Sequence, residues 1–487
     1  MRRGGNRARE PLSGMDAAML ELETPTNLMV INGVLILAAP IAFDDLRAVV
    51  QDRLLTIPRF RQRLVPAAGR LSGHCWEDDS AFNIDNHLYR LVLPPPADQE
   101  ALQDLVSELA SIPLDRSRPL WQFYLVEGYG PGCALICRIH HSIGDGVSLV
   151  GVLLSITDTE PGILPGLRAG RTTERPRVGR QRRARKLLRR ELSLATHPRR
   201  VRRLVRYGRR AASAVGDILF SPPDSQTAFK GKLGVPKRVA WSGPISLDEV
   251  KAIGRALDGT VNDVLLAVVS GALRRYLQGR SEATDGIELH AAVPVNLRGE
   301  GVEGQLGNRI GTVFAPLPVG VADPVQRLEA VRRSMDGLKG SYQAPATFAA
   351  MRALGRTSPP VQRTIVGILA SRATAIMTNV IGPRETRYLA GAPIEALLFW
   401  VPKTGGLALG VSILSYVEQV RLGVITDEGL VPDPEAIVAA FEAEFGEFLA
   451  LAQGVRPAPT VAALEAMLDE ALATLESLGG EDGTGVL

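Results

Sequence analysis

Seven consecutive residues, His140-His141-Ser142-Ile143-Gly144-Asp145-Gly146, hold two of the six histidines in the chain, a carboxylate and two glycines. They close an apolar run, 132–140, that reads as a strand. Neighbouring side chains on a strand point to opposite faces, so the two histidines serve different surroundings: one faces a cleft, the other packs inward. A neutral imidazole, with an ordinary pKa of about 6.5, takes a proton from a hydroxyl at neutral pH, which makes the cleft-facing ring a general base. The glycines let the chain turn sharply and a substrate approach closely. A bare histidine pair also fits two satisfied structural rings, and Asp145 fits a cap on the helix that starts near Gly146. It is the seven residues as a unit that point to chemistry.

Other chemistries lack their residues. The chain has no Gly-x-Ser-x-Gly elbow, no P-loop and no Gly-x-Gly-x-x-Gly opening a helix. The histidines, at 74, 87, 140, 141, 197 and 290, include no i, i+4 pair, so no helix-borne zinc site is expected. Cys75, Cys133 and Cys137 are odd in number and lack metal-ligand spacing, which argues against a disulfide framework and fits a reducing compartment. Neither a metal nor a cofactor is expected.

The elements that must position the motif follow from length and pattern. With 487 residues, 45% hydrophobic and 22% charged, the chain is globular and long enough for two or three domains. Residues 11–165 read as one α/β unit: a strand over 32–39, a helix over 98–111, strands over 119–128 and 132–140 about a Gly-Pro-Gly turn, and a helix after Gly146. Residues 166–235 form a basic linker with an amphipathic helix over 201–219. Residues 236–455 read as a second α/β unit, with a helix start at Ser246 and Glu249, a buried helix over 262–277, strands over 287–297, 309–317 and 407–416, and a helix over 434–452. An acidic helical tail fills 456–487.

His-His-x-x-x-Asp-Gly resembles the active-site motif of the acyltransferase superfamily that includes chloramphenicol acetyltransferase and peptide-synthetase condensation domains. Further segments narrow the resemblance: Pro119-Leu120-Trp121, Thr260-Val261-Asn262-Asp263-Val264, Pro294-Val295-Asn296-Leu297-Arg298, Gly307-Asn308-Arg309 and Thr378-Asn379-Val380-Ile381-Gly382-Pro383. The series, from about Leu12 to Leu451, is similar to the bacterial wax ester synthase/acyl-CoA:diacylglycerol acyltransferase family. The resemblance implies an α/β fold of two chloramphenicol-acetyltransferase-like domains, with the active site in a tunnel at their interface. It implies His141 as general base, with His140 and Gly146 beside it, and acyl-CoA as co-substrate attacked directly by a lipid hydroxyl. Diacylglycerol is the first acceptor, a fatty alcohol the second. A polyketide or peptide hydroxyl, and a non-catalytic lipid-body scaffold, are the alternatives.

By the same resemblance Asn262 is the candidate oxyanion donor, or else a helix cap. Asp263 and Glu23 are candidates for substrate contact; Glu23 closes an Asp-x-x-x-Leu-x-Leu-Glu pattern that begins at Asp16 and otherwise reads as an ordinary solvent-facing carboxylate. Asp145 is expected to be structural, paired with Arg298, and Trp121 to pack under the motif strand. One stretch departs from the family's Met-His-Val-Gly-Gly: here it is Met29-Val30-Ile31-Asn32-Gly33, with no histidine.

Charge is unevenly spread. Between Arg168 and Arg210 stand 18 Lys+Arg and 2 Asp+Glu, while the whole chain carries only +4. Such a segment fits either a solvated linker or an anchor to anionic lipid. Tyr207 is its one aromatic, so stacking on nucleic acid is not expected. No secretory signal follows the N-terminal arginines, and no run of about 18 apolar residues spans a membrane. The expectation is a cytoplasmic protein, peripheral at the inner membrane or lipid droplets through 168–219.

Overall fold

The computed structural model describes residues 9–67, 73–162, 216, 222–297, 308–338, 341–355, 357–403 and 405–454. Two large sheets organise it. The first runs, edge to edge, Tyr388–Leu389, Ala392–Trp400, Val30–Leu37, Cys133–His140, Trp121–Glu127 and Leu88–Val92; all pairs are antiparallel except the last. The second runs Ile310–Leu317, Leu289–Asn296, Ala375–Ile381, Leu409–Tyr416, Gln419–Asp427 and Lys237–Trp241, with Ile245–Ser246 also paired to Gln419–Asp427. The expected elements are present: helices Gln99–Ala110, Gly146–Ser155, Val261–Gly279 and Pro434–Ala452, and strands Leu289–Asn296, Ile310–Leu317 and Leu409–Tyr416.

Local chemistry explains these elements. Cys133–His140 is apolar apart from Arg138 and the closing His140, and all eight residues are buried, as a strand covered on both faces requires. Val261–Gly279 starts in a reciprocal capping box between Thr260 and Asp263 and buries most of its surface. It packs against Pro434–Ala452 and Pro324–Leu338, where the buried Arg327 reaches Glu444 at 2.5 Å. Gly271 makes room for this pair: a Cβ there would lie 2.2 Å from Glu444 Oε2.

The two units do not divide cleanly along the chain. Ala392–Trp400, which lies inside 236–455, pairs with Val30–Leu37 and belongs to the first sheet. In the other direction, the N-terminal helix Gly14–Glu21 packs on Gln343–Leu354 of the second half. Each unit therefore lends an element to the other, and the space between them is built from both. The basic segment, the helix expected over 201–219 (save Gly216) and the tail 456–487 lie outside the described residues.

Candidate active site

The motif strand ends on His140, and its geometry separates the two histidines as alternation demands. His141 lines an apolar cavity of about 250 Å3. The cavity's floor is one face of the second sheet: Ala292, Pro294 and Asn296, then Ile310, Thr312 and Phe314, then Ile376, Thr378 and Val380, each set in steps of two along its strand. Met15 and Met19 from Gly14–Glu21, Thr347 and Met351 from Gln343–Leu354, and Val366, Leu369 and Ala370 from Pro359–Ala370 form one wall. His141, Gly146, Met29, Phe399 and Val401 form the other. Gly311 lets Gln343–Leu354 lie against the floor, since a Cβ there would fall 1.9 Å from the Ala344 carbonyl oxygen.

His141 donates its backbone N–H to the Met29 carbonyl at 2.7 Å, and its own carbonyl accepts from Asn308 Nδ2 at 2.9 Å. Its Nδ1 is buried and has no hydrogen-bond partner of normal geometry among the described residues. Burial pushes the ring's pKa below the usual histidine value; its own carbonyl and the charges of Asp145 and Asp16 only partly offset that. The ring is therefore neutral at neutral pH and ready to accept a proton.

His140 points the other way. Its Nδ1 accepts the Ser142 backbone N–H at 3.1 Å, which places the ring hydrogen on Nε2, 3.1 Å from Glu23 Oε2. Glu23 also accepts from the Met29 N–H at 2.9 Å and from Arg116 Nη2 at 3.0 Å. Burial alone would raise the Glu23 pKa; the His140 ring and these donors outweigh it and hold the carboxyl at about 2. Glu23 thus braces His140 and the Met29 peptide and is absent from the cavity lining, unlike the expectation that it contacts substrate.

Asp145 N-caps Gly146–Ser155, its Oδ1 accepting from Ser148 N at 2.9 Å and from Ser148 Oγ at 2.6 Å. Its Oδ2 accepts the Arg309 backbone N–H at 3.0 Å, so a structural carboxylate joins the motif to the second half. Its expected partner Arg298 lies outside the described residues. Asp263 differs from expectation: its Oδ2 closes the capping box on Thr260 N and Oγ1, at 2.9 and 2.6 Å, it is 2% exposed, and it does not line the His141 cavity. Asn262 is not the cap, which is Thr260, and it does not line the His141 cavity. It opens on a neighbouring cleft that shares only Asn379 with that cavity, and its Oδ1 accepts from Asn379 Nδ2 at 3.2 Å.

Trp121 is a core residue, its Nε1 donating to the Phe60 carbonyl at 2.9 Å and its ring stacked on His87. The departure at Val30 and Asn32, remote from the motif in sequence, is adjacent in space: Val30 pairs with His140 and Asn32 with Arg138. Cross-strand partners share a face, so Val30 stands on the His140 side, while Met29 is the residue that lines the cavity. The missing histidine therefore bears on the packing around His140. Three residues that carry the site had no assigned role in the sequence: Asp16, Asn308 and Thr378. All stand in the recognisable segments, but no spacing rule links them to His141.

Two α/β units closed over an apolar cavity, with the second motif histidine on its wall, define an acyltransferase of the chloramphenicol-acetyltransferase type. The model of the wax ester synthase/diacylglycerol acyltransferase catalytic domain matches residues 12–265, and that of the family's C-terminal domain matches 306–448. The chain belongs to this family and is an acyl-CoA-dependent O-acyltransferase. It is 29% identical to the O-acyltransferase WSD of Acinetobacter baylyi over 457 residues, covering 90% of this chain and 96% of that protein. A wax ester synthase/diacylglycerol acyltransferase from Marinobacter aquaeolei shares the fold, with a TM-score of 0.67 at 24% identity over 92% of this chain and all of that one. So does a condensation domain of the calcium-dependent antibiotic synthetase, at 0.58 and 15% identity over 92% and 97%.

Proposed function

We propose that the protein esterifies diacylglycerol with a long-chain acyl-CoA, giving triacylglycerol, and also accepts fatty alcohols to give wax esters. The observation that carries this reading is a neutral, buried histidine set on the wall of a mostly apolar cavity. Nδ1 of His141 is buried, which leaves Nε2 for the substrate. In the proposed step Nε2 takes the proton of the acceptor hydroxyl as its oxygen attacks the thioester carbonyl. The tetrahedral intermediate collapses, the C–S bond breaks, and the CoA thiolate recovers the proton from His141. No acyl-enzyme forms and no cofactor takes part. The oxyanion needs a donor. Thr378 supplies it better than Asn262: its side chain stands on the cavity floor, and its buried Oγ1 lacks a hydrogen-bond partner among the described residues.

The lipid character of both substrates favours action at a surface, with the 168–219 cations drawing the protein to anionic membrane or lipid droplets. No single described helix is long and apolar enough to cross a membrane. Incubation of the purified protein with labelled palmitoyl-CoA and a panel of diacylglycerols, monoacylglycerols and alcohols tests the reading. Triacylglycerol should dominate the labelled esters, with wax ester second. Free palmitate alone, or ester formed only with peptide or polyketide hydroxyls, would reject it.

A further inference from the structure

Asn308 sits where three distant parts of the chain meet. Its Nδ2 donates to Asp16 Oδ1 at 2.8 Å and to the His141 carbonyl at 2.9 Å. Asp16 and Asn308 are both buried, at 9% and 7% exposure, on elements 292 residues apart in sequence. An asparagine amide has nearly the same shape either way round, so its orientation is set by what it faces. Here it faces a carboxylate and a carbonyl, both acceptors, and the NH2 side must turn to them. Asp16 therefore reinforces the orientation in which the NH2 end of Asn308 meets His141.

That choice matters because of what His141 lacks. For Nε2 to accept a proton, Nδ1 must carry the ring hydrogen, and something must hold it there. Nδ1 is buried and has no hydrogen-bond partner of normal geometry among the described residues, and the backbone group that favours the protonated ring is the carbonyl of His141 itself. That carbonyl is pinned by Asn308, while the N–H of the same residue is pinned by Met29. We propose that Asp16 and Asn308 are positioning residues for the general base: Asn308 clamps the His141 backbone at its carbonyl, opposite the Met29 clamp on its N–H, and Asp16 holds Asn308 in place. The chain Asp16–Asn308–His141 carbonyl then holds the backbone that carries the ring. This rests on His141 being the base.

The titratable groups around the ring are Asp16 on Gly14–Glu21, Asp145 at the cap of Gly146–Ser155 and His140 beside it on the strand; Arg59 acts on Asp16 in turn. The carbonyl and Asp16 both favour the protonated ring. Asn308→Ala, which frees the carbonyl, should lower kcat about 10- to 100-fold with KM nearly unchanged. It should also move the acid limb of the kcat/KM pH profile to lower pH. Asp16→Asn keeps the shape and one acceptor oxygen while it removes the charge and turns the other oxygen into an NH2 donor; its loss in kcat should be smaller and its acid limb should shift the same way. His141→Ala is the control. If it stays active, the general-base reading itself fails. If it is inactive while both variants keep wild-type kcat and an unmoved acid limb, only the positioning chain is wrong. A fall in melting temperature with the acid limb unmoved would likewise overturn the chain. Should Asn308→Ala not fold, the limb of Asp16→Asn decides alone.

Discussion

His140 and His141 are neighbours with unlike duties, and substitution should separate them. His141→Ala is expected to cut ester formation about 10²–10⁴-fold with little change in thermal melting, because it removes a proton acceptor at the cavity wall. His140→Ala should lower the melting temperature together with activity, since its ring joins Glu23 to the Ser142 peptide. Near-normal turnover in a folded His141→Ala protein would sink the mechanism. Thr378→Val keeps the shape of the floor and removes its hydroxyl. If that hydroxyl meets the oxyanion, kcat should fall about 10²–10³-fold with KM little changed. Steady-state kinetics on a detergent-dispersed acceptor reads both parameters, and an unaltered kcat would clear Thr378 of the role.

The elements are held in place by buried charges that have found partners. Arg327 and Glu444 join Pro324–Leu338 to Pro434–Ala452, with side chains only 1% and 4% exposed. Glu444→Leu strands the guanidinium and should cost about 3–5 kcal/mol, measured by denaturant unfolding; a loss below about 1 kcal/mol would show that water or another group replaces the carboxylate. Glu23 gives a pH-dependent counterpart. Its folded pKa, about 2, lies below the ordinary glutamate value, so the stability it contributes is present above about pH 4.5 and is lost as pH falls from there toward 2. That contribution is on the order of 3 kcal/mol. Glu23→Gln should therefore be less stable than the wild type at pH 7, with the gap closing in acid. Parallel unfolding curves across that range would contradict it.

At the scale of the whole molecule, the proposed function gives the cavity and the cationic segment separate tasks: one would hold lipid, the other would bring the protein to it. Each arginine near an anionic surface adds about 1 kcal/mol of attraction, screened as salt rises. Binding to anionic liposomes should drop steeply from low to high salt. It should weaken when the pairs at 199–200, 202–203 and 209–210 are replaced by Gln, with turnover on a detergent-solubilised acceptor nearly unchanged. Liposome binding that survives all six changes would make the segment a plain linker. Loss of binding together with turnover in detergent would instead tie it to the active site.

Local pattern was enough to place the motif strand, its following helix, Gln99–Ala110, Val261–Gly279 and Pro434–Ala452 within a residue or two, because periodicity and caps act over a few residues. It was also enough to single out His140-His141 and to assign the family. It gave no means of knowing that Ala392–Trp400 crosses to the first sheet, since strand pairing is settled between segments far apart in the chain. Nor did it separate Glu23, which braces His140, from a cavity residue, or Asp263, which closes the capping box on Thr260, from a ligand. Asp16 and Asn308 are 292 positions apart, and a hydrogen bond across that distance exists only once both units have packed around the carbonyl of His141. The kind of chemistry was legible in the chain, because it depends on residue types in a short run. Tertiary structure alone decided which groups stand around that chemistry, because burial, orientation and charge at His141 are set by neighbours that the chain brings together only on folding.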